Sequence, residues 1–184
     1  HYTFNLRDVA KVVQGVMQVV PAKCADADSL LRLWSHEASR VLCDRLISAE
    51  DRALFYARLD GILKAECGGD AAVAWDASET APGLLFGSCL HSSAGAEHAL
   101  YEEMTLDATA AHLVDALGEY NVASTKPMNL VFFRDACLHL ARISRVLTQP
   151  RGCSLLVGVG GSGRSSLVRL AASMWGYPCH TIEL

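Results

Sequence analysis

Apolar side chains recur near the start of the chain at Val9, Val12, Val13, Val16, Met17 and Val20. This i, i+3, i+4, i+7 spacing gathers them on one face of a helix. Asn5 stands where an N-cap side chain would accept from the first turn, and Asp8 adds a negative charge suited to that end of the helix dipole. Pro21 disfavours helical geometry at Val20 and supplies the stop. A second helix is predicted from Asp28 as cap through Leu30, Leu33, Trp34, Ala38, Val41 and Leu42, reaching toward Leu46. Ser48 with Asp51 resembles a capping box opening a third, which places Leu54, Phe55, Leu59, Ile62 and Leu63 on one side and ends at Gly68-Gly69.

From Gly68 to Gly95 the helical period is lost and Gly, Ser, Ala and Pro82 accumulate around the short apolar run Leu84-Leu85-Phe86, the mark of a boundary. Helical spacing returns at Leu106, Ala110, Leu113, Val114 and Leu117. Pro127 then stands where a first helical residue would, before Leu130, Phe133, Cys137, Leu140, Ser144 and Leu147. Pro150 and Gly152 end that helix. Cys153-Ser154-Leu155-Leu156-Val157 follows as an apolar run of the kind found in buried parallel strands.

The run leads into Gly158-Val159-Gly160-Gly161-Ser162-Gly163-Arg164-Ser165-Ser166 and a helical stretch stopped by Gly176. The spacing matches the phosphate loop G-x-x-x-x-G-K-[ST], whose glycines let backbone N–H groups turn inward around an anion at a helix N-terminus. Arg164 replaces the lysine. Guanidinium is planar and forked, so it can pair with phosphate along a different approach, and binding survives this change more readily than fast hydrolysis. Ser165 would hold Mg²⁺ through its hydroxyl. Gly158, Gly160 and Gly163 also satisfy G-x-G-x-x-G, with Glu183 near the place of a ribose-binding acid, which keeps a dinucleotide site open. A loop that stays empty, in a scaffold segment, is the other alternative.

Composition narrows these readings. Sixteen basic against twenty acidic residues leave a charge of -4, against a nucleic-acid binder. No apolar stretch approaches the roughly 18 residues needed to span a bilayer and the start lacks a signal layout, so neither membrane insertion nor export is expected. Seven scattered cysteines without a Cys-x-x-Cys pair read as reduced thiols, mostly small buried hydrophobes. The absence of an initial methionine and the uncapped apolar end Thr181-Ile182-Glu183-Leu184 point to a piece of something longer. Cys89, His91 and His98 fit no common zinc spacing. His36-Glu37 reads as a helix-surface pair with packing or capping roles. Arg134, Arg142, Arg145 and Arg151 read as partners in salt bridges across module interfaces, and Phe132 and Phe133 as core.

Longer stretches carry a resemblance. Pro127-Met128-Asn129-Leu130-Val131-Phe132-Phe133-Arg134-Asp135, His139, Arg142-Ile143-Ser144-Arg145, Pro150-Arg151-Gly152 and Leu155 through Arg164 closely resemble the start of the fourth AAA+ module of axonemal dynein heavy chains, in which the loop arginine is usual. His1-Tyr2-Thr3-Phe4-Asn5-Leu6-Arg7-Asp8 is similar to the sensor-2 stretch opening the small helical subdomain of the third module, and Trp34-Ser35-His36-Glu37 with Arg40-Val41 continues the likeness.

The resemblance implies a predominantly helical α/β chain. A helical lid over residues 1–70 and a linker over 71–100 would precede the start of a P-loop AAA+ subdomain with a short parallel sheet over 101–184. It implies ATP or ADP with Mg²⁺ on Gly158 through Ser166, with Ser165 at the metal. Pro127, Met128 and Leu130 would lie near adenine, and Arg7 would reach the nucleotide of the preceding module. The implied partners are the other AAA+ modules of the same heavy chain, microtubules, and dynein intermediate and light chains, in the cytoskeleton of a cilium or flagellum. No hydrolysis is expected of this segment alone, because no acidic metal holder or base on a later strand accompanies the loop.

Overall fold

The computed structural model describes residues 2–66, 85–91 and 100–182. They fall into two compact units, one drawn from His1–Phe86 with Tyr101–Glu103 and the other from Gly87–Leu100 with Met104–Leu184. No helix among the described residues is long and apolar enough to cross a membrane. The glycine pair at 68–69, Pro82, His98 and Glu183 lie outside the described residues.

In the first unit, α1 (Leu6–Val16) begins as its sequence dictates. Asn5 Oδ1 accepts from the Arg7 N–H at 2.8 Å while the Asp8 carboxylate accepts from the Asn5 N–H at 3.0 Å, satisfying donors that a helix start leaves orphaned. Val20 is extended ahead of Pro21, which opens a 3₁₀ turn to Lys23. The cap of α2 (Ala27–Ala38) is Asp26 rather than Asp28: Asp26 Oδ1 accepts from the Ser29 N–H at 2.7 Å, and Asp28 sits within the first turn. Either aspartate suits a helix start, and Ser29 falls in register with Asp26. After Ala38 the helix widens into a π turn, Ser39–Cys43, closed by the Asp44 N–H on the Ser39 carbonyl at 3.0 Å. Ser48 caps α3 (Ala49–Glu66) by accepting from the Asp51 N–H at 3.0 Å; the Asp51 carboxylate accepts from the Tyr2 hydroxyl at 2.8 Å.

The buried side of α1 is rotated from the expected valine stripe. Asp8, Val12 and Gly15 are buried, whereas Val9, Val13 and Met17 are exposed. α2 packs on the Asp8–Gly15 side because Gly15 leaves room there for the Glu37 side chain: a methyl group on Gly15 would stand 1.8 Å from Glu37 Oε2. Val12 then packs with Ala38 and Val41, against Trp34, Leu42 and Phe55. Leu59 and Leu63 of α3 close on Leu31, Trp34 and Phe55, leaving Leu54 and Ile62 outside.

His36 and Glu37 are buried, correcting the surface reading. Glu37 accepts from the Tyr101 hydroxyl, and the His36 ring lies 5.6 Å from that of Phe86. Phe86 and Tyr101 join Leu33 in a further cluster. Phe86 opens β1 (Phe86–Gly87) and Tyr101 precedes β2 (Glu102–Glu103), an antiparallel pair whose second strand is tied down by Lys23 to Glu102 at 3.0 Å and by Arg32 to Glu103.

The second unit is built on α4 (Leu106–Ala123), α5 (Arg134–Thr148) and α6 (Arg164–Met174), which contribute the fully buried Leu113, Leu140, Leu170 and Ala171. Thr105 caps α4 by accepting from the Ala108 N–H at 3.2 Å. Pro127 does not open α5. Asn121 donates from Nδ2 to the Met128 carbonyl at 2.8 Å and accepts at Oδ1 from the Met128 N–H at 2.7 Å, so neither backbone group of Met128 is left for a helical ladder. The chain stays non-helical until Arg134, and Phe133 is exposed ahead of that helix rather than in the core.

The expected parallel strand at 153–157 is likewise unformed. Leu155 and Val157 are 88% and 84% exposed, and no ladder partner stands beside the run among the described residues. A strand exists only when its backbone groups are paired, so an apolar run without a partner remains extended coil.

Candidate functional site

The glycine loop is a two-step turn into α6. Ser162 N–H donates to the Val159 carbonyl at 3.3 Å, and Gly161 and Gly163 both take φ of 79°, a region that costs a residue with a Cβ about 1–2 kcal/mol. Gly163 is the N-cap of α6 and offers no side chain to the first-turn N–H groups. No acidic residue occupies that turn either, whereas α1, α2, α4 and α5 carry Asp8, Asp28, Asp107 and Asp135 there. The N-terminal N–H groups of α6 thus keep their partial positive charge for an external acceptor. The surroundings have the same sign. Between Asp135 and Glu183 the sequence has no acidic residue and five arginines, at 142, 145, 151, 164 and 169.

Cβ atoms added at Gly160, Gly161 or Gly163 would meet nothing within 4 Å, so open space lies over the second half of the loop. Gly158 faces inward instead, where an added Cβ would be 3.1 Å from Ser162 Oγ and 3.6 Å from Arg164 Nη1. Arg164 folds back along the loop and donates from Nη2 to the Val159 carbonyl at 3.1 Å. Arg164 and the exposed Ser165 also border a cleft of about 470 Å³ with Leu156, Val168, His180 and Thr181. The donors, the room and the hydroxyl of Ser165 fit a magnesium-bound di- or triphosphate.

Arg7 occupies the first turn of α1 and is exposed, and its backbone N–H donates to Asn5 Oδ1 at 2.8 Å. Its acidic neighbour does not hold it. The Asp8 carboxylate is buried and pairs with Arg45 Nη2 at 2.7 Å, and this hydrogen bond, then that from the Asn5 N–H, lowers its pKa below the ordinary aspartate value. Arg45 also donates to the Thr3 carbonyl and covers the Phe4 ring at 5.3 Å, so one guanidinium just past the π turn reaches Thr3, Phe4 and Asp8 at the entry to α1.

Pro127 is exposed, while Met128 and Leu130 are half-buried on the stretch clamped by Asn121. Asn121 and Arg45 were not singled out from sequence. The sequence signal for Asn121 is an amide six residues before Pro127-Met128, and for Arg45 the sequence carries none, because its partners at the entry to α1 lie 37 or more residues away.

A family model described as "P-loop containing dynein motor region D4" matches residues 128–184, and one described as "Dynein heavy chain, ATPase lid domain" matches residues 1–52. The chain is 44% identical over its whole length to rat "Dynein axonemal heavy chain 1" and 41% to human "Dynein axonemal heavy chain 6". It is 38% identical, again over its whole length, to the Chlamydomonas reinhardtii "Dynein-1-beta heavy chain, flagellar inner arm I1 complex". It spans about 4% of the length of each of these relatives.

Proposed function

The chain belongs to the axonemal dynein heavy chain family, and on that premise we propose that its second unit binds ADP or ATP with Mg²⁺ as a regulatory or structural module of an ATP-driven microtubule motor in a cilium or flagellum. The observation that carries this reading is the start of α6. Gly163 leaves its N–H groups without a side-chain acceptor, the first turn has no acid, and Arg164 and Ser165 stand at its mouth. The match of residues 128–184 to a P-loop region supports a phosphate loop over the dinucleotide alternative.

Gly158 through Gly163 would shape the cradle, the N–H groups of Arg164, Ser165 and Ser166 would meet phosphate oxygens, and Arg164 would exchange the Val159 carbonyl for phosphate. Ser165 Oγ would ligate Mg²⁺, which when bound neutralises charge between neighbouring phosphates. Pro127, Met128 and Leu130 would face adenine, and Arg7 would reach a nucleotide on the preceding module. Residues 1–70, 71–100 and 101–184 would serve as lid, linker and nucleotide subdomain. The partners proposed for the whole motor are its other AAA+ modules, microtubules, and intermediate and light chains.

Calorimetric titration of the folded chain tests the reading. Magnesium ADP should bind, Arg164→Ala should weaken it about tenfold or more, and NAD should give no heat. A folded sample that ignores ADP and ATP would support the second reading, a scaffold with an empty loop, which the closure of Arg164 onto Val159 favours.

A further inference from the structure

Away from the glycine loop, the second unit holds a cleft of about 550 Å³, within the roughly 300–1,000 Å³ of small-molecule sites. Lys126 and Arg169 line it, and no aspartate or glutamate does. Their places follow from the helices that carry them. Ser124 closes α4, and its Oγ accepts from the Lys126 N–H at 3.1 Å and donates to the Lys126 carbonyl at 3.3 Å, which fixes where the lysine leaves the turn. Ser165, Arg169 and Ser173 follow at i, i+4 and i+8 along one face of α6. Ser165 borders the cleft beside the loop, Ser173 borders this one, and Arg169 borders both. The helical rise puts Ser173 about 12 Å beyond Ser165. No residue of the glycine loop lines this cleft, nor does Pro127, Met128 or Leu130, so it is separate from the proposed nucleotide site.

Charge decides what such a place takes. Neither Lys126 nor Arg169 is neutralised by an ion pair among the described residues. The C-terminal ends of α4 and α6 also border the cleft, and a helix dipole places about half a negative charge at each. The last carbonyls of α6 are partly occupied, since the Gly176 and Tyr177 N–H groups donate to Ser173 and Ala172 at 3.0 and 2.8 Å. Two whole positive charges outweigh two such halves, and the balance favours an anion. The hydroxyls of Thr125, Ser173 and Tyr177 add donors for its oxygens, and Tyr120 and Pro178 add apolar faces for a body larger than a bare ion.

We propose that this cleft binds a small organic phosphate, whose phosphoryl group is received by Lys126 and Arg169 while its apolar body lies on Tyr120 and Pro178. Two cations match a phosphate monoester, which carries nearly two negative charges at neutral pH, better than they match a single carboxylate. Such binding requires nothing of the glycine loop, filled or empty.

Phenyl phosphate is the probe, applied to the whole chain. Cys179 lines the cleft and is exposed, so timed iodoacetamide labelling reads occupancy there, with Cys153, exposed and lining neither cleft, as the internal control. Saturating phenyl phosphate should slow labelling of Cys179 about threefold or more and leave Cys153 unchanged. In calorimetry, Lys126→Ala should weaken binding about fivefold, whereas Lys126→Arg and Arg164→Ala should each stay within about twofold of the parent. Lys126 is exposed and its side chain bonds to none of the described residues, so the alanine variant keeps the fold. Inorganic phosphate should bind about threefold or more weaker than phenyl phosphate, and equal affinity overturns the role given to the apolar faces. An unaltered chain that gives neither heat nor protection overturns the site. So does equal slowing at Cys153, or protection that Arg164→Ala removes and Lys126→Ala spares, which puts the phosphate at the loop instead.

Discussion

Arg45 Nη2 lies 2.7 Å from Asp8 Oδ1, so the carboxylate beside Arg7 is neutralised by a residue 37 positions away and not by its neighbour. That pairing leaves the Arg7 side chain exposed at the mouth of α1. It also makes the start of the helix sensitive to acid.

Because the hydrogen bond from Arg45 lowers the Asp8 pKa from its ordinary 3.8, the stabilisation it provides is present above that value and is lost as pH falls through the lower folded pKa. Asp8→Asn removes it at every pH. The melting temperatures of the two proteins should therefore differ most near neutrality and converge as pH falls through the lowered folded pKa. Thermal melts followed by circular dichroism from pH 7 to pH 2.5 check this, and a gap that stays constant with pH would contradict it.

Two helical glycines should respond in opposite ways to alanine. At Gly15 the new methyl group would collide with Glu37, which is fully buried and held by Tyr101, so Gly15→Ala should cost about 1–3 kcal/mol. At Gly61, in α3, nothing lies within 4 Å, and alanine should stabilise by about 0.5–1 kcal/mol. Urea denaturation of both variants beside the parent gives the comparison.

The cysteines should separate by rate of alkylation. Cys153 and Cys179 are exposed and should react first. Burial raises the pKa of Cys43 and Cys137 and pushes that of Cys89 up to about 12, which starves each of thiolate at neutral pH. Timed iodoacetamide labelling with peptide mass mapping should find Cys89 modified last of these; early modification of Cys89 under native conditions would disprove the order.

Within the loop, Gly163→Ala should lower stability by about 1–2 kcal/mol, since φ of 79° strains any residue with a Cβ, and should weaken ADP binding together with it. Gly160 lacks that backbone constraint and has open space beside it, so Gly160→Ala should leave stability within about 0.5 kcal/mol of the parent. Urea melts and ADP titration on the same samples separate fold from binding.

Local chemistry determined what a short stretch of sequence can specify by itself. Asn5 with Asp8, Ser48 with Asp51, Pro21 after Val20 and the glycines before Arg164 act within a few residues of their targets, so the helix starts, the stop and the loop were legible without a fold. Burial was not, because it depends on what packs opposite. The valine stripe of α1 yielded to Asp8, Val12 and Gly15 once Glu37 entered the space that Gly15 leaves, and His36 moved inside with it. The strand at 153–157 needed a ladder partner that its own sequence could not supply. Pro127 lost its place as a helix start to an amide on another helix, since a hydrogen bond between residues seven apart is settled by where the chain turns.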